Sequence, residues 1–394
     1  MIFLEKDREY LSSGLAIQIK KYICLSIFLL INILFSIKYI SRYSDLYIPL
    51  TILLITVLLC VFVYKRYLIK VKVVYVVFLC VFLLLCYVGL SMLIFEKFSV
   101  ETLNVDRWSV ITSFWESFDR NEYVYFAKSN VGNPPGPMPF YFILAYPFYL
   151  LGELGYYSLL TLPFFLLLLF YAKIEKYIIL LVLILLFFSL FIWWEILCRS
   201  NIFLNSSLVL FSIIYFFNSD KLDTRRLVIS SIIFGLLIST RSVFSIAYVV
   251  VCIFALRSRY ISFKQFVLLI FISLISFSST FLPFIINHNT EFFEMNPFVV
   301  QSTFLMPIGY TIFFIVLAIV FGSMCKKCLD VYYYISLNLF LCILTYFIYQ
   351  VNEVGLIESV FGWTVDISYF IFCIPFSIFY VCKIESCFSK NDSK

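Results

Sequence analysis

Thirteen apolar runs succeed one another along this chain, and they leave its backbone few ways to fold. They are Tyr22–Ile37, Leu46–Tyr64, Val73–Phe95, Pro139–Leu151, Tyr156–Ala172, Tyr177–Trp194, Ile202–Phe217, Leu227–Thr240, Val243–Leu256, Phe266–Ile286, Phe304–Phe321, Val331–Tyr349 and Ile367–Val381. Many approach the ~20 residues that cross a hydrocarbon core of ~30 Å. In lipid an unpaired backbone N–H or C=O costs several kcal/mol, so each run must be helical, and its β-branched residues do not argue for strands. Charged residues make up 13% of the chain, against roughly 25% in soluble domains, so the apolar surface has no water-facing solution. The sequence predicts an all-α, polytopic transmembrane helical bundle forming a single membrane domain over residues 1–394.

Charge sets the expected topology. With a cytoplasmic amino terminus and Pro139–Leu151 dipping or lying along the surface, one side collects most of the 29 Lys and Arg. It holds Lys6, Arg8, Lys20, Lys21, Lys65, Arg66, Lys70, Lys72, Lys173, Lys176, Lys221, Arg225, Arg226, Arg257, Arg259, Lys264, Lys326, Lys327, Lys383, Lys390 and Lys394. Basic loops stay inside, so this arrangement predicts about twelve crossings with both termini cytoplasmic. A crossing at Pro139–Leu151 would make about thirteen and put every later basic loop on the wrong side. The opposite face carries Asp106, Glu116, Asp119, Glu122, Glu195, Glu291, Glu294, Glu353, Glu358 and Asp366. That asymmetry points to an external working surface. Its longest segment, residues 96–155, is expected to be a catalytic-type loop with short surface helices and a re-entrant or surface segment, and residues 383–394 a cytoplasmic tail.

Several features carry less. The net charge of +6 is spread over short loops, which speaks for membrane topology and not for nucleic acid. Most of the 12 cysteines, such as Cys60, Cys80, Cys86, Cys252 and Cys342, sit inside apolar runs, where they act as small hydrophobes. Cys325 and Cys328 form a lone CxxC without the second pair or histidines that a zinc site needs. No cleavable signal peptide is apparent, because the first 21 residues are polar and Tyr22–Ile37 reads as a first span.

The candidate chemistry follows the third run. Asn104-Val105-Asp106-Arg107-Trp108 is succeeded by Trp115-Glu116-Ser117-Phe118-Asp119-Arg120-Asn121-Glu122-Tyr123, then by Gly132-Asn133-Pro134-Pro135-Gly136-Pro137-Met138-Pro139-Phe140-Tyr141, and the next stretch closes on Gly152. Farther on, Gly235-Leu236-Leu237-Ile238-Ser239-Thr240-Arg241 ends a run. This order, over roughly Leu103 to Leu256, resembles the GT-C membrane glycosyltransferases, which use polyprenyl-phosphate sugars. Those enzymes place an acid in the first long external loop, then a proline-rich turn and an apolar stretch ending in glycine. The chain departs from them in two ways: its loop follows a third helix, and its acids are not adjacent.

The resemblance implies transfer of a sugar from a polyprenyl-phosphate carrier to a hydroxyl of a lipid-linked glycan or similar acceptor, with inversion and with Asp106 as base. Physical chemistry asks for the same parts: a base within hydrogen-bond reach of the hydroxyl, and donors where the leaving phosphate develops charge. Arg241 and Arg199 are the candidate phosphate partners, since guanidinium matches phosphate oxygens bidentately and both stand at run ends on the external side. Each has a plainer reading. Asp106 could pair with Arg107, Arg241 could cap a helix, and Glu195 could pair with Arg199. Asp119, Glu122 and the lone His288 are candidates for the acceptor or a metal, with Asp106, Asp119 and Glu122 able to offer oxygen ligands to Mg²⁺ or Mn²⁺, or are ordinary loop polar residues. Trp108 and Trp115 could stack on a sugar, although Trp also gathers at interfaces, as Trp193 and Trp194 do. Prolines 134–139 are expected to form a rigid bend. Two alternatives share this topology: a polymerase using lipid-pyrophosphate repeat units, and a flippase of lipid-linked sugars. The flippase predicts more polar residues within spans than Asn32, Asn338 and Thr345.

Overall fold

A computed structural model describes residues 14–40, 45, 47–66, 72–103, 105–219, 222–304, 307–362 and 365–392. Lys6, Arg8, Arg42, Lys70, Asn104, Lys221 and Lys394, and part of the run Phe304–Phe321, lie outside these residues. Among the described residues every regular element is helical. Among the described residues, five helices are long and apolar enough to cross a membrane: Leu15–Ile40, Val73–Lys97, Phe263–Ile285, Cys328–Val354 and Ile367–Cys387. Two broken pairs, Pro139–Leu150 with Gly155–Tyr171 and Lys176–Phe187 with Leu190–Cys198, bring the number to seven if each is one span. Ile202–Phe216, Phe244–Arg257 and Ile308–Met324 are apolar but shorter. These helices fit a multi-pass membrane protein.

Caps account for several helix starts. The Asp223 carboxylate accepts from Arg226 N at 3.1 Å and opens Thr224–Ile238. Ser262 and Gln265 form a reciprocal box that opens Phe263–Ser279. The expected tail is helical as far as it is described, because Ile374–Asp392 continues the last run.

The chain divides into two compact units. One comprises Val100–Tyr157 and Leu208–Cys342, and the other the described residues of 7–99, Ser158–Ser207 and 343–394. In the first unit Thr224–Ile238 packs backbone to backbone on Phe263–Ser279. A Cβ on Gly235 would lie 2.2 Å from the Ser273 carbonyl oxygen, so only glycine allows this approach. Serines close the seam: Ser273 Oγ donates to Ser231 O at 2.8 Å and Ser276 Oγ to Ile232 O at 2.9 Å. Gly322 similarly lets Ile308–Met324 approach Ile253 on Phe244–Arg257.

In the second unit Leu15–Phe35 packs on the carboxyl-terminal helix and Lys176–Phe187 on Val73–Lys97. Buried Asn32 does local work there. Its Nδ2 donates to Phe28 O at 3.0 Å, and its Oδ1 accepts from Leu190 N at 3.1 Å where the chain restarts a helix after a 61° bend. Lys21 and Glu385 pair, and Lys383 Nζ donates to Ala172 O at 2.8 Å. The most apolar stretch of Val73–Lys97 is only 17% buried, so this helix turns its side chains outward.

Candidate functional site

The segment read as a loop contains two α-helices, Ser109–Asp119 and Pro139–Leu150, and two short 3-10 turns. Asp106 stands at the start of the first helix, where its carbonyl accepts from Val110 N at 2.9 Å. Its half-buried carboxylate accepts from Asn133 Nδ2 at 2.9 Å. Asn133 is held by a tight loop: Ser129 N donates to Asn133 O at 2.9 Å, and Ser129 Oγ accepts from Asn133 N at 3.1 Å. Gly132 turns that loop at φ +85°, a conformation that side chains resist. Ser109 Oγ ties the same loop to the helix by donating to Asn130 Oδ1 at 2.7 Å.

The proline turn is anchored at its other end on the Gly235–Arg241 motif. Met138 N donates to Thr240 O at 3.3 Å, and Phe140 N to Ser239 O at 2.9 Å. Ser239 Oγ shares a 2.6 Å hydrogen bond with Thr280 Oγ1. The Arg241 guanidinium lies over the Tyr141 ring, 5.1 Å from its centroid. Between these anchors Tyr125 OH donates to Pro137 O at 3.3 Å. Residues 127–138 form no helix, and Met138 is extended, as a residue before proline must be; Pro139 then occupies the first helical turn. The three motifs that stand far apart in sequence are therefore bonded through one short turn.

The other candidates are placed elsewhere. Arg199 belongs to the second unit and is 2% exposed. It sits at φ 54° after Leu190–Cys198 and donates to Leu197 O at 2.8 Å, Phe95 O at 3.3 Å and Phe98 O at 3.2 Å, with its guanidinium over the Phe95 ring. A guanidinium so enclosed serves helix-end carbonyls. Glu195 is buried too, accepting from Ser200 Oγ, Ile202 N and Phe203 N, and so caps the next helix.

Trp115, the other candidate for sugar stacking, lies in the core. It is 5% exposed, its indole donates to Phe142 O at 3.2 Å, and Phe114, Phe118, Tyr146 and Phe284 surround it. Trp108 is half-buried beside Asp106, and its enclosed indole N–H has no partner among the described residues.

Glu122 pairs with Arg120 at 3.1 Å on the surface, and Asp119 accepts from Tyr149 OH at 3.5 Å. Among the described residues no three His, Cys, Asp or Glu side chains gather as a metal group would require, so Asp119, Glu122, His288 and Asp106 do not form such a group. His288 instead faces Glu291, with Nδ1 3.6 Å from Oε1, and its ring lies 5.7 Å from Tyr123. Tyr123 OH donates to Met295 O at 2.7 Å, linking the two loops. Burial, then the nearby Glu291 charge, pushes the Tyr123 phenol up. Hydrogen bonds from its own backbone N–H and from Thr290 hold the Glu291 carboxyl below its usual value. Asn133, Ser239, Thr280 and Tyr141 are the site residues that motif reading did not single out. Asn133, Tyr141 and Ser239 stand inside the quoted motifs, whereas Thr280 carried no signal.

The apolar helices fit a multi-pass membrane protein, and its first unit holds a polar site around Asp106 and the proline turn. No known protein family, curated protein or solved structure matches the chain.

Proposed function

We propose that the chain is a membrane glycosyltransferase of the GT-C kind, moving a sugar from a polyprenyl-phosphate carrier to a hydroxyl of a lipid-linked glycan or similar acceptor on the non-cytoplasmic face. The observation that carries this reading is the proline turn hydrogen-bonded at one end to Asp106 and at the other to Ser239 and Thr240, beside Arg241. It keeps one acid and one cation on a common scaffold. Asp106 takes the acceptor proton as the hydroxyl oxygen attacks the anomeric carbon. The sugar–phosphate bond breaks with inversion, its electrons leave on the phosphate, and Arg241 stabilises that charge. The Asn133 amide orients the base, and the Trp108 ring is left for the sugar. Arg199 takes no part.

In this reading both termini are cytoplasmic and about twelve helices cross, the shorter ones such as Ile202–Phe216 included. A helix of that length reaches ~22 Å, which local bilayer thinning accommodates.

The test is Asp106→Asn in membranes supplied with labelled polyprenyl-phosphate sugar. Transfer should fall about 10²–10⁴-fold while thermal stability stays within ~1 kcal/mol, because the replacement amide oxygen still accepts from Asn133. Undiminished transfer would remove the base. Transfer only from lipid-pyrophosphate repeat units would favour the polymerase reading.

A further inference from the structure

The helix Val73–Lys97 ends in a feature that the transfer reaction does not use. Leu90, Leu93, Ile94 and Lys97 recur at the spacing that puts side chains on one helix face. With Phe98 and Trp193 they line an open groove of about 220 Å³, all within the second unit. The lining surface is apolar throughout, so Lys97 contributes only its methylene stem to the wall. Leu90 is 43% exposed, Leu93 59% and Phe98 45%. Glu96 falls on another face of the helix and does not line the groove.

The groove is built, not merely uncovered. The buried Arg199 holds the helix end beside it by bonding Phe95 O and Phe98 O, and Phe98 lines the groove. Trp193 is fixed as a wall, with its indole donating to Phe187 O at 2.6 Å and its ring against Tyr87 and Phe187. Lys97 is exposed and has no acidic partner among the described residues.

We infer that this groove is a binding site for an anionic phospholipid, its acyl chain lying along Leu90, Leu93, Ile94 and Trp193 and its phosphate meeting Lys97. An apolar trough walled in part by an exposed lysine that has no carboxylate partner among the described residues, at the end of a candidate span, matches a lipid with one negative headgroup. Zwitterionic lipid fills the trough equally well but brings its own cation to Lys97, so charge is what discriminates. The site is independent of the glycosyltransferase reading.

The experiment uses the full-length protein in vesicles of phosphatidylcholine containing a small fraction of phosphatidylglycerol, with bromine on the acyl chains of one lipid or the other. Bromine quenches nearby indoles, and the difference between wild type and Trp193→Phe isolates the groove signal. Brominated phosphatidylglycerol should be enriched at Trp193 about five-fold over brominated phosphatidylcholine, as expected for one lysine near an anionic headgroup. Lys97→Gln should abolish the enrichment, and Lys97→Arg should keep it. Equal quenching by the two lipids, or enrichment that survives Lys97→Gln, would overturn the assignment. So would relief of quenching by unbrominated polyprenyl phosphate at fractions where unbrominated phosphatidylglycerol has no effect, which would give the groove to the carrier lipid instead.

Discussion

Two arginines follow the ends of apolar helices in this protein, and they are used in opposite ways. Arg199, in the second unit, is enclosed and bonded to three backbone carbonyls over the Phe95 ring. Arg241, in the first unit, is half-buried over Tyr141, beside a proline turn whose far end holds a carboxylate. A charge removed from water needs its donors matched by acceptors nearby. Carbonyls at helix ends supply acceptors without supplying a ligand site. Exposure of the guanidinium, and the company it keeps, therefore separates a structural arginine from one able to meet a phosphate.

The largest effect should come from exchanging these two residues for alanine. Arg199→Ala leaves buried helix-end carbonyls without their charged donor and should lower stability by about 3 kcal/mol or more, read from thermal unfolding in detergent. Arg241→Ala should cost under ~1 kcal/mol, a surface-like change, yet reduce sugar transfer about 10²–10³-fold. Equal destabilisation by both would erase the contrast.

Gly235→Ala tests the scaffold behind Arg241. The added methyl meets the Ser273 carbonyl at 2.2 Å, so the two helices must part, at about 1–3 kcal/mol. Transfer should fall with it, because the Ser239–Thr240 carbonyls that hold the proline turn move as well. Full stability would mean that the seam is looser than drawn. Ser239→Ala is milder. It removes the hydroxyl pair with Thr280 and should cost about 1 kcal/mol, with a similar loss in the double variant Ser239→Ala, Thr280→Val if the two act only through each other.

The smallest effect is electrostatic. The Glu291 carboxyl is held below its ordinary value, so its contribution to stability is present above the unfolded value and is lost as pH falls through the lower folded one. Glu291→Gln should flatten that acid limb of the stability profile without altering it near neutrality. An unchanged acid limb would remove His288 and Thr290 as partners of consequence.

Much of the fold was legible because run length and hydropathy are local properties. A backbone in lipid must bond within its own segment, so the described parts of the apolar runs are mainly helical, even Pro139–Leu150 with Pro147 inside it. The order of acid, proline turn and Gly235–Arg241 was also legible. That the turn bonds both flanking motifs was not, because Phe140 and Ser239 stand 99 residues apart.

Sequence alone thus determined an all-helical chain for lipid and the residue types at its polar breaks. Tertiary structure decided which polar groups were enclosed. Arg199 finds its acceptors 101 and 104 residues away, and Trp115 is walled in by Phe142 and Phe284 from other helices. Enclosure is a sum over neighbours brought together by packing, and no local pattern encodes it.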